Sequence, residues 1–215
     1  MKQKSQRRQC SICPGFNGEI GLTETTILIP GFNNDETFLN SLEVALQREG
    51  FAVRCLSPQP SNGDAPIEVL AFQLAEQISA ALPSGQPLNL FGFSMGGLIC
   101  RTYLQYFGGL ARTRRLVTLA TPHRGTYTAY LFKRPACFQM RPGSAFLTRL
   151  NADLSPLEQI SFTSIWTPLD LTIVPADHSI LPVGEMVPIV SPFHVTLPLD
   201  PRVVREIAAA LRKPV

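Results

Sequence analysis

The chain has 215 residues, 45% of them apolar and 16% charged. That composition supports one buried core and excludes a disordered chain. A net charge of +3 is too small a bias to argue for nucleic-acid binding, although it permits weak attraction to an anionic lipid surface.

The first 24 residues read as an N-terminal tail, partly mobile. Met1 to Gln9 is basic, and no apolar stretch of secretory length follows it before Ile27. With no transmembrane run either, the expected location is cytoplasmic. Cys10-x-x-Cys13 resembles half of a zinc ribbon, but no second pair is present, and the odd total of five cysteines argues against a disulfide framework. The sequence offers no cofactor motif and no metal motif.

From residue 25 onward the pattern alternates between strand and helix. Thr25 to Ile29 is a β-branched apolar run and reads as a buried strand ending in the turn cluster Pro30-Gly31-Phe32-Asn33-Asn34. Asp35 is placed to cap a helix that runs to Arg48, and Gly50 closes it. Phe51 to Leu56 is a second strand. Pro66 suits the first turn of a helix whose apolar positions run from Ile67 to Leu82. Leu88 to Phe91 is a third strand, followed by a helix to about Phe107, and Arg115 to Ala120 is a fourth. This alternation predicts a parallel sheet with helices on both faces, and ligands in such sheets sit beyond the carboxyl ends of the strands.

Residues 121 to 157 are the least regular, and the segment 127–146 within them is too short for a cap domain. They carry Tyr127, Tyr130, Phe132, Phe138, Met140 and Phe146, with Lys133, Arg134 and Arg141 among them. Ile160 to Trp166 and Met186 to Val190 read as further strands. Asp200-Pro201 opens a closing helix.

The chemistry centres on Gly92-Phe93-Ser94-Met95-Gly96 between the third strand and its helix. A serine two residues from a glycine on either side fits the nucleophile-elbow pattern. The tight turn strains the backbone, pushes the hydroxyl outward and leaves no room for side chains on either flank. A glycine-rich turn cradling a phosphate is the competing reading.

A serine hydroxyl needs a base, and there are three histidines: His123, His178 and His194. In this architecture the order is serine, acid, histidine. His123 precedes any suitable late acid. His194, between the last strand and the last helix, is preferred to His178. Asp170, after the fifth strand, is the preferred acid to orient the base, with Asp177 second. Donors for a developing oxyanion are expected from the backbone N–H of Met95 and of Phe32.

These parts together resemble small α/β-hydrolases of the lipase/esterase kind, and are similar to the minimal lidless bacterial lipases. The resemblance rests on Gly31-Phe32, Gly92 to Gly97, Thr121-Pro122-His123-Arg124-Gly125-Thr126, Asp170-Leu171-Thr172-Ile173-Val174-Pro175 and the late His194, and spans residues 25 to about 212. It implies an α/β-hydrolase domain over 25–215 without a large cap. Ser94 would be the nucleophile, Asp170 the acid, His194 the base, and Phe32 and Met95 the oxyanion donors. His123 would belong to a structural turn.

The chain departs from that family in having Pro30 where a histidine commonly precedes Gly31, and Phe193 where a glycine commonly precedes the base. The implied activity is hydrolysis of carboxylic esters, acylglycerols or other lipid esters among them. Thioester hydrolysis, acyl transfer and a catalytically silent binding module are the alternatives.

Overall fold

A computed structural model describes residues 24–215. The expectations for the N-terminal tail and for Cys10 and Cys13 lie outside these residues. Six parallel strands form one sheet in the order β2-β1-β3-β4-β5-β6. They are β1 (Thr25–Ile29), β2 (Ala52–Cys55), β3 (Leu88–Phe93), β4 (Thr113–Leu119), β5 (Ser161–Trp166) and β6 (Glu185–Pro188). The helices are α1 (Asn40–Arg48), α2 (Ile67–Ala81), α3 (Met95–Tyr106), α4 (Pro135–Gln139), α5 (Ala145–Ala152), α6 (Ser155–Glu158) and α7 (Pro201–Leu211).

The alternation of side chains along each strand sorts the core into two layers. Ile27, Ile29, Leu88, Leu90, Leu116 and Phe162 face α2, α3 and the segment 129–157. Leu28, Phe91, Phe93, Val117, Leu119 and Ile165 face α1 and α7. The central strands are therefore apolar on both sides, as a covered parallel sheet requires. β3, in the interior of the sheet, is buried along its whole length, so its carboxyl end is held between two packed layers.

Local signals behave as their chemistry demands. Asp35 accepts from the Thr37 N–H and caps a tight 3₁₀ turn (Glu36–Leu39) that leads into α1. Asp200 accepts from the Arg202 N–H and caps α7, with Pro201 at its first position. Within residues 121–157 three short helices and a 3₁₀ turn at Tyr127–Leu131 fold over the carboxyl ends of the strands. Among the described residues no helix is long and apolar enough to cross a membrane.

Candidate active site

The turn from β3 into α3 places Ser94 at φ 53°, ψ −122°, a region that non-glycine residues seldom occupy. Holding it there costs on the order of 1–3 kcal/mol, which the surrounding structure must offset. Two contacts show how. The Ser94 N–H donates to the Leu119 carbonyl at 2.8 Å, tying the turn to the end of β4. Close glycine contacts lock the rest. A Cβ at Gly92 would fall 2.5 Å from the Gly97 Cα, and one at Gly96 would fall 2.4 Å from the Ile29 carbonyl oxygen. Strand β1, the elbow and α3 therefore approach more closely than any side chain permits.

His194 opens the 3₁₀ turn His194–Leu199 after β6. Its Nδ1 lies 2.8 Å from Asp170 Oδ2, and both side chains are buried. A carboxylate accepts, so Nδ1 carries the proton and Nε2 is left with its lone pair. The other carboxylate oxygen, Oδ1, accepts from the Thr172 and Ile173 N–H groups at 2.8 and 2.9 Å, which fixes the acid. The loops that carry the pair are laced together. Thr167 Oγ1 donates to the Ser191 carbonyl at 2.6 Å and accepts from the Ser191 N–H at 3.2 Å. The Phe93 ring, one residue before the serine, packs on the His194 ring at a centroid separation of 5.0 Å. That contact brings the imidazole to the elbow.

Ser94 and Phe32 line one pocket of about 80 Å³ with Pro122, Thr126, Ala129, Phe132, Cys137, Met140 and Ile173. Its walls are almost entirely apolar, and the Phe32 and Phe132 rings touch at 5.4 Å across it. A Cβ on Gly31 would lie 3.0 Å from the Ser94 Cβ, so the turn carrying Phe32 runs directly beside the serine. Among the described residues the Phe32 N–H has no protein acceptor. Met95 opens α3, where first-turn N–H groups have no intrahelical acceptor. Both expected oxyanion donors thus border the serine.

The two other histidines are committed elsewhere. His178 Nδ1 donates to the Gly125 carbonyl at 2.8 Å, and Asp177 pairs with Arg124 at 2.6 Å on the surface. Both pin the turn after β4. His123 is fully buried: Arg101 Nη1 donates to its Nδ1 at 3.3 Å, and its Nε2 donates to Thr118 Oγ1 at 3.1 Å. Burial, and then the Arg101 guanidinium, hold His123 well below the ordinary imidazole range, so it is neutral.

Three features carry weight that sequence reading did not assign. The first is Arg101, wholly buried on α3, whose guanidinium also donates to Asn151 Oδ1 and the Leu150 carbonyl at 3.0 Å each. Burial pulls it down to about 9, and it remains charged at neutral pH. A lone arginine inside the apolar run Gly-Leu-Ile-Cys-Arg-Thr-Tyr-Leu was its available signal. The second is the hydroxyl clamp of Thr126 and Thr128, which both donate to the Thr172 carbonyl, at 2.8 and 2.7 Å, and hold the segment 126–131 beside the acid loop. The third is the apolar lining of Ala129, Cys137 and Met140, which no local pattern distinguishes from ordinary core.

Comparison with known proteins agrees with this architecture. The chain is similar over 89% of its length to 96% of the mature lipase BlEst2 of Bacillus licheniformis (TM-score 0.65, 15% identity). Over 88% of its length it resembles 94% of a lipase-esterase related protein of Clostridium acetobutylicum (TM-score 0.60, 17% identity). It also resembles lipase B of Aspergillus fumigatus (TM-score 0.75, 15% identity), matching 93% of its own length to 55% of that chain. At these identities the likeness is one of fold. No individual curated protein matches the sequence. The sequence of residues 26–178, well over half of the chain, does match one family. The chain belongs to the palmitoyl protein thioesterase family and has the α/β-hydrolase fold.

Proposed function

We propose that the protein is a serine hydrolase that cleaves carboxylic esters through an acyl-enzyme on Ser94. The observation that carries this reading is the joint placement of a strained serine elbow and a carboxylate-bound imidazole packed on the elbow's own Phe93. In the mechanism, His194 Nε2 takes the Ser94 proton as Oγ attacks the acyl carbon. Asp170 steadies the imidazolium that forms. The oxyanion is received by the Phe32 and Met95 N–H groups, backbone donors beside the serine. Collapse breaks the acyl–oxygen bond, and His194 returns the proton to the departing alcohol. Water, deprotonated by the same nitrogen, then releases the acid and restores Ser94.

The apolar pocket beside Ser94 supplies the acyl site. The enclosed cavity measures about 80 Å³. It thus suits a short acyl segment, and a longer chain must continue outward past Phe132. Replacing Ser94 with Ala abolishes turnover of p-nitrophenyl esters on this account and leaves the fold intact. Unchanged turnover would end it.

A thioester is the second reading, favoured by the family to which the chain belongs. The same groups serve it, with a thiolate as the leaving group. Matched oxygen and sulfur esters of one acyl chain, compared by kcat/KM, separate the two.

A further inference from the structure

Among the described residues, many of the large exposed apolar side chains come from the segments that border the pocket. Tyr127, Tyr130, Leu131, Phe132 and Phe138 come from the segment over the strands, Leu169, Leu171 and Val174 from the acid loop, and Phe193 and Val195 from the base loop, which the His194–Asp170 pair ties to the acid loop. Leu131 and Leu171 are 78% and 77% exposed, and Phe193, beside the base, is 65% exposed. The segments form one surface. Besides the Thr126 and Thr128 clamp on Thr172, the Tyr127 N–H donates to the Val174 carbonyl at 2.9 Å, and Phe132 and Ile173 line the same pocket. A contiguous apolar rim of this kind normally marks a contact surface.

The charge carried by the segment over the strands has one sign, and part of it is unpaired. None of the 16 acidic residues falls between residues 121 and 152, whereas Arg124, Lys133, Arg134, Arg141 and Arg149 all do. Asp177, Asp64 and Glu68 reach in to pair with Arg124, Arg134 and Arg149. Lys133 and Arg141 have no ion-pair partner among the described residues. The Arg141 guanidinium is held among the aromatics, 4.5 Å from the Tyr130 ring centre and 4.2 Å from that of Phe138. The acid loop contributes Asp170 alone, which is buried, and residues 188–199 contribute no Asp, Glu, Lys or Arg. Asp35 and Glu36, on the Phe32 side, are the other acids near the mouth in sequence, and Asp35 is spent capping its own turn.

We propose that this rim is a docking surface for an anionic lipid surface, with Leu131, Leu171 and the tyrosines entering the headgroup boundary and Lys133 and Arg141 facing the anionic headgroups. Tyrosines and short apolar side chains interleaved with cations are what such a boundary accepts. The orientation would turn the pocket mouth toward the bilayer, so the proposal builds on the acyl-hydrolysis reading. Its test is nonetheless scored on binding alone.

The full-length chain is sedimented with phosphatidylcholine vesicles, with and without phosphatidylserine, and hydrolysis of a water-soluble p-nitrophenyl ester is measured in parallel. The expected result is binding that requires phosphatidylserine and weakens with salt. Lys133→Gln is expected to weaken it about fivefold, the effect of one surface cation. Leu131→Asp is expected to weaken it by about tenfold or more. Neither residue lines the pocket, so soluble-ester turnover stays unchanged in both.

Three results would overturn the docking surface. One is absence of binding to either vesicle. Another is binding that Leu131→Asp and Lys133→Gln leave untouched, which would assign it to other cations such as those of residues 1–8. The last is vesicle binding that stays absent while Leu131→Asp impairs cleavage of an S-acylated peptide, which would make the rim a peptide site. Failure of the hydrolase reading is separately visible, as loss of soluble-ester turnover in the parent chain.

Discussion

Two buried imidazoles sit on opposite sides of this sheet with partners of opposite sign. His194 holds its Nδ1 against the Asp170 carboxylate, with its ring packed on the Phe93 ring of the elbow. His123 holds its Nδ1 against the Arg101 guanidinium, deep beneath the turn after β4. A carboxylate stabilises a proton gained at the far nitrogen, and a guanidinium forbids one. The same side chain is thus suited to accepting a proton in one place and to bracing a turn in the other. What separates them is the charge of the neighbour, since both are hydrogen-bonded and both are enclosed.

Breaking the first arrangement should have the largest effect. Ser94→Ala and His194→Ala are expected to lower kcat on a p-nitrophenyl ester by about 10⁴-fold or more, the scale seen when a serine–histidine pair is dismantled. Thermal unfolding should change little in either. Asp170→Asn comes next. It leaves a hydrogen-bonding side chain but removes the charge and selects the wrong tautomer, and about a 10⁴-fold loss in kcat is expected from that change alone. A loss under tenfold would mean that His194 takes its orientation from elsewhere.

Breaking the second arrangement should act on stability. Arg101→Met strands His123 Nδ1 and Asn151 Oδ1 and leaves the Leu150 carbonyl to Gln105 alone, and a loss of about 2–4 kcal/mol in urea unfolding is expected. Activity per folded molecule should be retained. The pH dependence sharpens the contrast. His123 is neutral when folded, whereas an unfolded imidazole takes up a proton below about pH 6.5. The unfolded state then binds more protons, so stability should fall as pH drops from about 6.5 toward 5, by up to about 1.4 kcal/mol per pH unit from this group. In His123→Gln that slope should flatten. An equal slope in both proteins would place the sensitivity elsewhere. The smallest effect is expected from His178→Gln, within about threefold of the parent kcat, because that imidazole serves the Gly125 carbonyl.

The parts of the fold that sequence made visible are those in which local chemistry and tertiary packing agree. The β-branched run at 25–29, the apolar run ending at Gly92 and the Asp200-Pro201 start each specify their element without help from distant residues. Boundaries differed where a neighbour decides them. The fourth strand begins at Thr113, two residues before the apolar stretch, because β3 extends its ladder that far. The helix expected from Asp35 onward starts as a 3₁₀ turn, since Asp35 caps its first N–H groups before α1 is wound.

The candidate site divides in the same way. Elimination among three histidines and chain order point to His194 and Asp170, and the folded chain joins them directly. The pocket was legible only through the aromatics of the irregular segment, of which Phe132 lines it, because Ala129, Cys137 and Met140 differ from other core residues only in facing a gap. Arg101 was missed because its partners, His123 and Asn151, are recruited from two separate segments.

Intact-mass analysis after reaction with a fluorophosphonate, followed by peptide mapping, tests the central claim most directly. The account predicts one adduct per chain, on Ser94, whose formation slows by orders of magnitude in Asp170→Asn while His123→Gln and His178→Gln label normally. A parent protein that takes up no adduct, or takes it up at another residue, would contradict it.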